Sequence, residues 1–202
     1  MEKGRVEAFS DGVFAVAITL LVLNFSVPTM GSGKGSLVHQ LLKQWPEFAA
    51  YIISFMVIGI IWVNHHGFFD KLRSVDRTML FLNLLLLLFV VFIPYPTEVV
   101  ANYLKVGGWD AKVAVALYSA VMFGMSIAFS EMYLWAGRHD ELLDEAVDAA
   151  EHRARFWQFA AGLPIYLVLI GVSFLSPGLA IAGHFAVAVF YVFDQTVARR
   201  GA

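Results

Sequence analysis

Arg5-Val6-Glu7-Ala8-Phe9-Ser10-Asp11-Gly12-Val13-Phe14-Ala15-Val16-Ala17-Ile18-Thr19-Leu20-Leu21-Val22-Leu23-Asn24-Phe25 decides how the rest of the chain is read. From Gly12 to Phe25 the stretch is apolar apart from Thr19 and Asn24, the pattern of most of a membrane-spanning helix. It nevertheless opens with an arginine, a serine and an aspartate, groups that cost free energy at or below a membrane interface unless partners meet them. An anchor helix does not need that combination. A helix that lines something polar, held in place by the other helices, does.

Composition points the same way. The 202 residues are 59% hydrophobic and 15% charged, more apolar surface than a soluble domain of this length can hide, so lipid is the solvent for much of the chain. The net charge of -2, with no basic run, makes nucleic acid an unsuitable partner. With no cysteine, disulfides, thiolate metal sites and a cysteine nucleophile are excluded. The first apolar stretch does not read as a signal peptide, because Glu2, Glu7 and Asp11 sit beside Lys3 and Arg5 and no small-residue cleavage site follows Leu23.

Six segments reach the roughly 20 mostly apolar residues that a span requires, about 6–26, 46–68, 77–99, 111–136, 156–175 and 178–197, and the chain reads as a single domain over 1–202. A Gly/Ser-rich loop, Gly31 to Ser36, and a short amphipathic piece, Leu37 to Trp45, separate the first two. Pro46 suits a first helical turn, and Pro94-Tyr95-Pro96 should kink or end the third span. The charged stretch from Gly137 to Arg155, with leucines and alanines at helical spacing, is expected to continue as a solvated helix outside the bilayer. Ser176-Pro177-Gly178 leaves room only for a tight hairpin between spans five and six. Six spans put both termini on one side, with Lys3, Arg5, Lys71, Arg73, Arg77, Arg138, Arg153, Arg155, Arg199 and Arg200, against Lys34, Lys43, Lys105 and Lys112 on the other. Ten basic residues against four orient the termini to the cytoplasm of a multi-pass cell-membrane protein.

At about 100° per residue, Gly12, Val16, Thr19, Leu20 and Leu23 fall on one stripe of helix 1, extended by Phe9 and Arg5, while Ser10 and Asp11 lie on other faces. Such a helix needs two different neighbours. The polar corner should pack on another helix of the same chain. The stripe either meets its own copies around a symmetry axis or is ordinary helix–helix packing, and spacing alone leaves both readings open. On helix 2, Trp62 and His66 share a face. His65-His66 is a poor metal motif, since adjacent side chains diverge by about 100°. An ionised Asp11 wants a donor, and Arg5, Trp62 and His66 are the candidates, with His66 expected to face the Ser10–Asp11 corner. Asn83 and Glu131 read as single polar groups within spans three and four.

Arg5-x-x-x-Phe9-Ser10-Asp11-Gly12-Val13 leading into an Ala/Val/Ile-Thr-Leu-Leu span, followed by Trp62-x-x-x-His66, resembles the prokaryotic members of the lysosomal potassium channel family, transmembrane protein 175. The resemblance runs from end to end. It implies an all-α membrane protein with six helices per subunit and a potassium-permeable pore lined by helix 1. Eukaryotic members carry two such repeats, so this chain implies a homotetramer that conducts monovalent cations passively, with K+ as the permeating ion, no cofactor, and itself and the bilayer as partners. Matched by distance from the aspartate, the family's hydrophobic constriction maps onto Val16, Leu20 and Leu23, with a polar selectivity layer at Thr19. These positions belong to the stripe already drawn by helical spacing. Valine stands where isoleucine is usual, which moves the tightest point toward Leu20 or Leu23. The family's structural and gating network maps onto Arg5, Phe9, Ser10, Asp11, Trp62 and His66, residues that brace the subunit without coordinating the ion. A competing function is a small proton-coupled secondary transporter using Asp11 and His66, although no inverted repeat or broken helix supports it. An enzyme ranks last, for want of a nucleophile–base pair or a metal set at recognisable spacing.

Overall fold

A computed structural model of the chain describes residues 2–28 and 35–198. Most of the Gly/Ser-rich loop, including Lys34, and the terminal Arg199 and Arg200 lie outside the described residues. The described chain is helical, with no strand beyond one isolated bridge. Helix α1 runs Lys3–Leu20 and tightens into a 3-10 turn at Leu21–Asn24, before Phe25 turns extended and Pro28 prevents resumption. After a short exposed helix α2, Leu37–Lys43, whose cap Ser36 accepts from the His39 N–H, comes α3, Trp45–Phe69, with Pro46 in its first turn.

Helix α4, Arg77–Phe92, is capped by Asp76, whose carboxylate accepts from the Met79 N–H at 2.7 Å. The helix breaks at Ile93, and α5, Pro94–Tyr103, begins on the proline. The prolines therefore act as the sequence predicts. Helix α6, Gly108–Arg138, is the longest and most enclosed, and packs on α4 and α9. Gly124 makes the α4–α6 approach possible, because a Cβ there would collide with the Phe89 ring.

Four helical stretches, Lys3–Asn24, Trp45–Phe69, Arg77–Tyr103 and Gly108–Arg138, are long and apolar enough to cross a membrane. The last two expected spans are apolar but shorter as continuous described helices, at Gly162–Leu175 and Pro177–Tyr191. The fifth is interrupted: α8, Phe156–Ala160, and α9, Gly162–Leu175, are separated by a turn at Ala161. Pro164 accounts for the break, since it offers no N–H to the Ala160 carbonyl four residues back. Helix α10, Pro177–Ala198, follows α9 after one extended residue, Ser176, in the expected hairpin.

One expectation fails outright. The stretch from Gly137 to Arg155 is not a continuing solvated helix. After Arg138 the chain makes a 3-10 turn at Asp140–Leu142 and an extended hook, and only Ala149–Ala154 forms a helix, α7. Leu142 and Leu143 are buried rather than solvated, and Leu143 bridges to Leu72 in the α3–α4 connection. The Arg73 N–H donates to the Leu142 carbonyl at 2.8 Å, and the Asp144 N–H donates to the Lys71 carbonyl at 2.9 Å. Two adjacent leucines cannot share one face of a helix with a single neighbour. As an extended hook they bury against Leu72 while the backbone polar groups stay paired. Beyond the hook, His152 is buried under the Tyr133 ring, stacked at 3.9 Å, and burial holds its imidazole pKa below the ordinary histidine value.

Candidate functional site around helix α1

Helix α1 has two unlike faces. Val6, Ser10, Phe14, Ala17 and Leu21 are buried, and their spacing of three and four residues makes one continuous face against α3 and α4. Ser10 is wholly enclosed there. Its hydroxyl donates to the Val6 carbonyl at 2.8 Å, as a serine buried in a helix commonly does. It also accepts from the Asn83 side-chain amide of α4 at 3.0 Å. The other end of that amide, Oδ1, lies 2.8 Å from Nε2 of His65 on α3. Because the Asn83 NH2 group is aimed at Ser10, its oxygen faces the imidazole, and His65 must carry its proton on Nε2. The result is a chain of donors, His65 to Asn83 to Ser10 to the Val6 carbonyl, that ties α3, α4 and α1 in the interior. Phe14 and Phe69 wall the imidazole, at 5.4 and 4.3 Å between ring centroids.

Asp11 is served separately. Trp62 Nε1–H donates to its Oδ1 at 2.8 Å, which selects one of the three donors that the sequence offered. His66 stacks on Trp62 at 6.2 Å and is exposed, as is Arg5, whose guanidinium makes no hydrogen bond or ion pair among the described residues. The polar corner is thus two arrangements rather than one. Ser10 turns inward to Asn83, Asp11 turns sideways to Trp62, and it is His65, rather than His66, that reaches toward Ser10. Asn83 and His65 are the residues that sequence reading passed over. The signal for Asn83 was its isolation in an apolar run, since an amide in such a place needs partners from neighbouring helices. Its partners, however, sit on two different helices at unrelated sequence distances.

The opposite face of α1 carries the expected pore positions. Phe9, Gly12, Val16, Thr19, Leu20 and Leu23 are uncovered in the protomer, with Val16 54%, Leu20 38% and Leu23 74% exposed. Packing within the subunit is therefore not what this strip is for. The Thr19 hydroxyl donates to the Val16 carbonyl at 2.9 Å, which leaves its oxygen lone pairs facing outward. At the far end, the Asn24 side-chain amide donates to the Pro94 carbonyl at 2.9 Å and ties the 3-10 turn to the start of α5. Among the described residues no group of three or more histidine, aspartate or glutamate side chains is placed to hold a metal ion.

Comparison with known proteins agrees with the resemblance. The model of the endosomal/lysosomal potassium channel TMEM175 family matches residues 5–94. A potassium channel of Streptomyces collinus is 47% identical over 194 residues, 96% of this chain and 93% of the relative. The human endosomal/lysosomal proton channel TMEM175 is 33% identical over 207 residues, which cover 98% of this chain and 40% of the human protein. Among solved structures, that of a lysosomal potassium-selective channel TMEM175 homolog from Chamaesiphon minutus superposes with a TM-score of 0.85 at 36% identity, covering 96% of this chain and 97% of that one. The family is one of channels and not of enzymes, and with its signature helix, its helical fold and relatives that match it nearly end to end, this chain belongs to the TMEM175 family.

Proposed function

We propose that this chain is one subunit of a homotetrameric, potassium-permeable cation channel of the cell membrane, with the 202 residues forming a single six-span domain and both termini in the cytoplasm. Helix α1 of each subunit lines the pore. Val16, Leu20 and Leu23 form the hydrophobic constriction and Thr19 supplies a polar layer beside it. Of the gating network, Ser10, Asp11, Trp62 and His66 brace the helix within the subunit, while Arg5 and Phe9, uncovered in the protomer, act toward the neighbouring copy. The observation that carries this reading is the division of α1. Its one polar, interlocked face is inside the protomer, and the face with Val16, Leu20 and Leu23 has no partner in its own chain. Four copies of that face around an axis give rings of aliphatic side chains, which close a pore by dewetting and reopen when it widens slightly. Hydroxyl oxygens at Thr19 offer direct or water-mediated contacts to a cation that keeps most of its water.

Potassium is favoured over protons because the Streptomyces potassium channel matches along nearly its full length, whereas the human proton channel matches over less than half of its own. The proton-relay transporter has little support. Asp11 accepts from an indole N–H, which does not titrate, and His66 stacks outside that pair. The decisive experiment is potassium efflux from liposomes with single cysteines introduced one at a time, which the cysteine-free sequence makes unambiguous. Non-saturable efflux driven by the ion gradient alone, blocked by thiol reagents at Val16→Cys, Leu20→Cys and Leu23→Cys but not at Leu88→Cys, an exposed position on α4 away from the strip, is expected. Flux that saturates, requires a pH gradient, or ignores modification of all three α1 positions overturns the reading.

A further inference from the structure

Away from α1, a cavity of about 430 Å3 runs between α3, α6, α9 and α10. None of its lining residues belongs to α1, so the proposed conduction pathway does not absorb it. It follows α3 from Val57 to Gly67, ten residues or about 15 Å of helix, and ends at Lys71 and Arg155. Its walls are mostly aliphatic and aromatic along that length, with Met125, Phe129 and Val187 among them and Asn64 and Ser126 as uncharged polar interruptions, and its charge is confined to one end. An elongated, mostly apolar slot that ends in basic groups is the complement of one hydrocarbon chain with an anionic head.

Among the described residues the basic end is unbalanced. Arg155 is ion-paired with Glu151 in the preceding turn, which leaves the Lys71 ammonium without a paired carboxylate among the described residues. Lys71 sits over the Phe159 ring at 5.2 Å, half-buried, and makes no ion pair among the described residues. Burial and then the nearby Arg155 guanidinium hold its pKa below the ordinary lysine value, outweighing the help of Glu151. An anion beside it would relieve that cost. Gly67 lines the slot, and a Cβ added there would meet nothing within 4 Å, so the cavity is open at that point.

We infer that this cavity is a binding site for an anionic phospholipid of the bilayer, one acyl chain lying in the slot along α3 and the phosphate held by Lys71 with Arg155 beside it. The other acyl chain stays in the membrane. The inference does not depend on what α1 conducts, and its test does not use conduction.

The test is native mass spectrometry of the purified full-length protein, delipidated in detergent and offered phosphatidylglycerol, phosphatidylcholine of the same chains, or oleate. Phosphatidylglycerol should be retained about fivefold better than phosphatidylcholine, the preference that one cationic side chain gives near a membrane surface. Lys71→Gln should erase that preference. Gly67→Phe, which fills the slot and leaves the charges in place, should remove the retained phospholipid whatever its head. Thermal unfolding of each variant, matched to the parent, shows that the fold is intact. Equal retention of the two phospholipids, a preference that survives Lys71→Gln, or retention of oleate without phosphatidylglycerol overturns the assignment.

Discussion

The two faces of α1 are built from nearly the same kinds of residue and have opposite fates. Val6, Phe14, Ala17 and Leu21 are buried against α3 and α4, whereas Val16, Leu20, Val22 and Leu23 are uncovered. Hydropathy does not separate them. What separates them is one small polar group. Ser10 sits on the packed face and is satisfied only because Asn83 and the Val6 carbonyl meet it, so that face can dock in one rotation and at one height. The other face has no such requirement inside its own chain, and its aliphatic side chains are left for whatever surrounds the subunit. In a membrane, where apolar contact alone draws helices together weakly, a buried hydrogen-bonded group is what fixes helix rotation.

The comparison breaks most directly at Asn83. Asn83→Ala deletes the amide that serves both His65 and Ser10 and leaves two enclosed polar groups short of a partner. The expected loss is roughly 2 kcal/mol, well above the ~0.6 kcal/mol of an average hydrogen bond between membrane helices, because orphaned groups rather than one lost bond set the cost. Thermal unfolding in detergent reads it, and a melting temperature equal to the parent's would mean that the interior chain of donors does not hold α1. On the other face, Leu23→Ala should leave the unfolding free energy within about 0.5 kcal/mol of the parent's, since the side chain has little to lose inside the protomer. Its effect should appear instead as a several-fold rise in potassium leak from liposomes. If Leu23→Ala destabilises and does not leak, the two faces have been assigned the wrong way round.

Trp62→Phe asks how much the sideways pair of Asp11 contributes. The phenyl ring keeps the stacking on His66 and loses the N–H that Asp11 accepts. With both partners partly open to solvent the expected cost is about 1 kcal/mol, between the other two variants. A cost as large as that of Asn83→Ala would place Asp11 in the interior system with Ser10.

Much of this was legible in the sequence, and what was not has identifiable causes. The first four long apolar helices, the break at Pro94, the α9–α10 hairpin and the membership of the α1 strip follow from period, proline chemistry and run length, which are local, whereas spacing left open whether that strip is packed or uncovered. The hook after Arg138 was not legible, because the leucines and alanines from Leu142 to Ala150 fit helical spacing until Leu72, seventy residues earlier, is known to lie beside Leu143. The break at Ala161 was legible in principle from Pro164 and went unread against the strength of the apolar run. In the candidate site, hydrogen-bond chemistry narrowed the donor to Asp11 to Arg5, Trp62 and His66, and the structure picks Trp62 where His66 was expected to face that corner. The partnership of Asn83 with His65 and Ser10 did not emerge, since which of two adjacent histidines turns inward depends on the rotation of α3, and that is set by packing.

The finest test comes at the far end of α1. Leu20 and Leu23 are three residues apart, so in a continuous α-helix they diverge by about 60°, whereas in a 3-10 turn they eclipse. The Leu21–Asn24 turn therefore stacks Leu23 over Leu20 on the uncovered strip. Asn24 anchors this turn through its bond to the Pro94 carbonyl, at the point where α4 gives way to α5. Asn24→Ala removes one partly buried hydrogen bond, so unfolding should shift by less than about 1 kcal/mol. Freed of its anchor, the turn should relax toward α geometry and swing Leu23 out of line. With Leu23→Cys as a reporter, thiol modification that blocks efflux in the parent background should block less in the Asn24→Ala background, while Val16→Cys is unaffected. Equal block in both backgrounds would show that the 3-10 turn holds itself, and that the Pro94 break does not govern where the strip points.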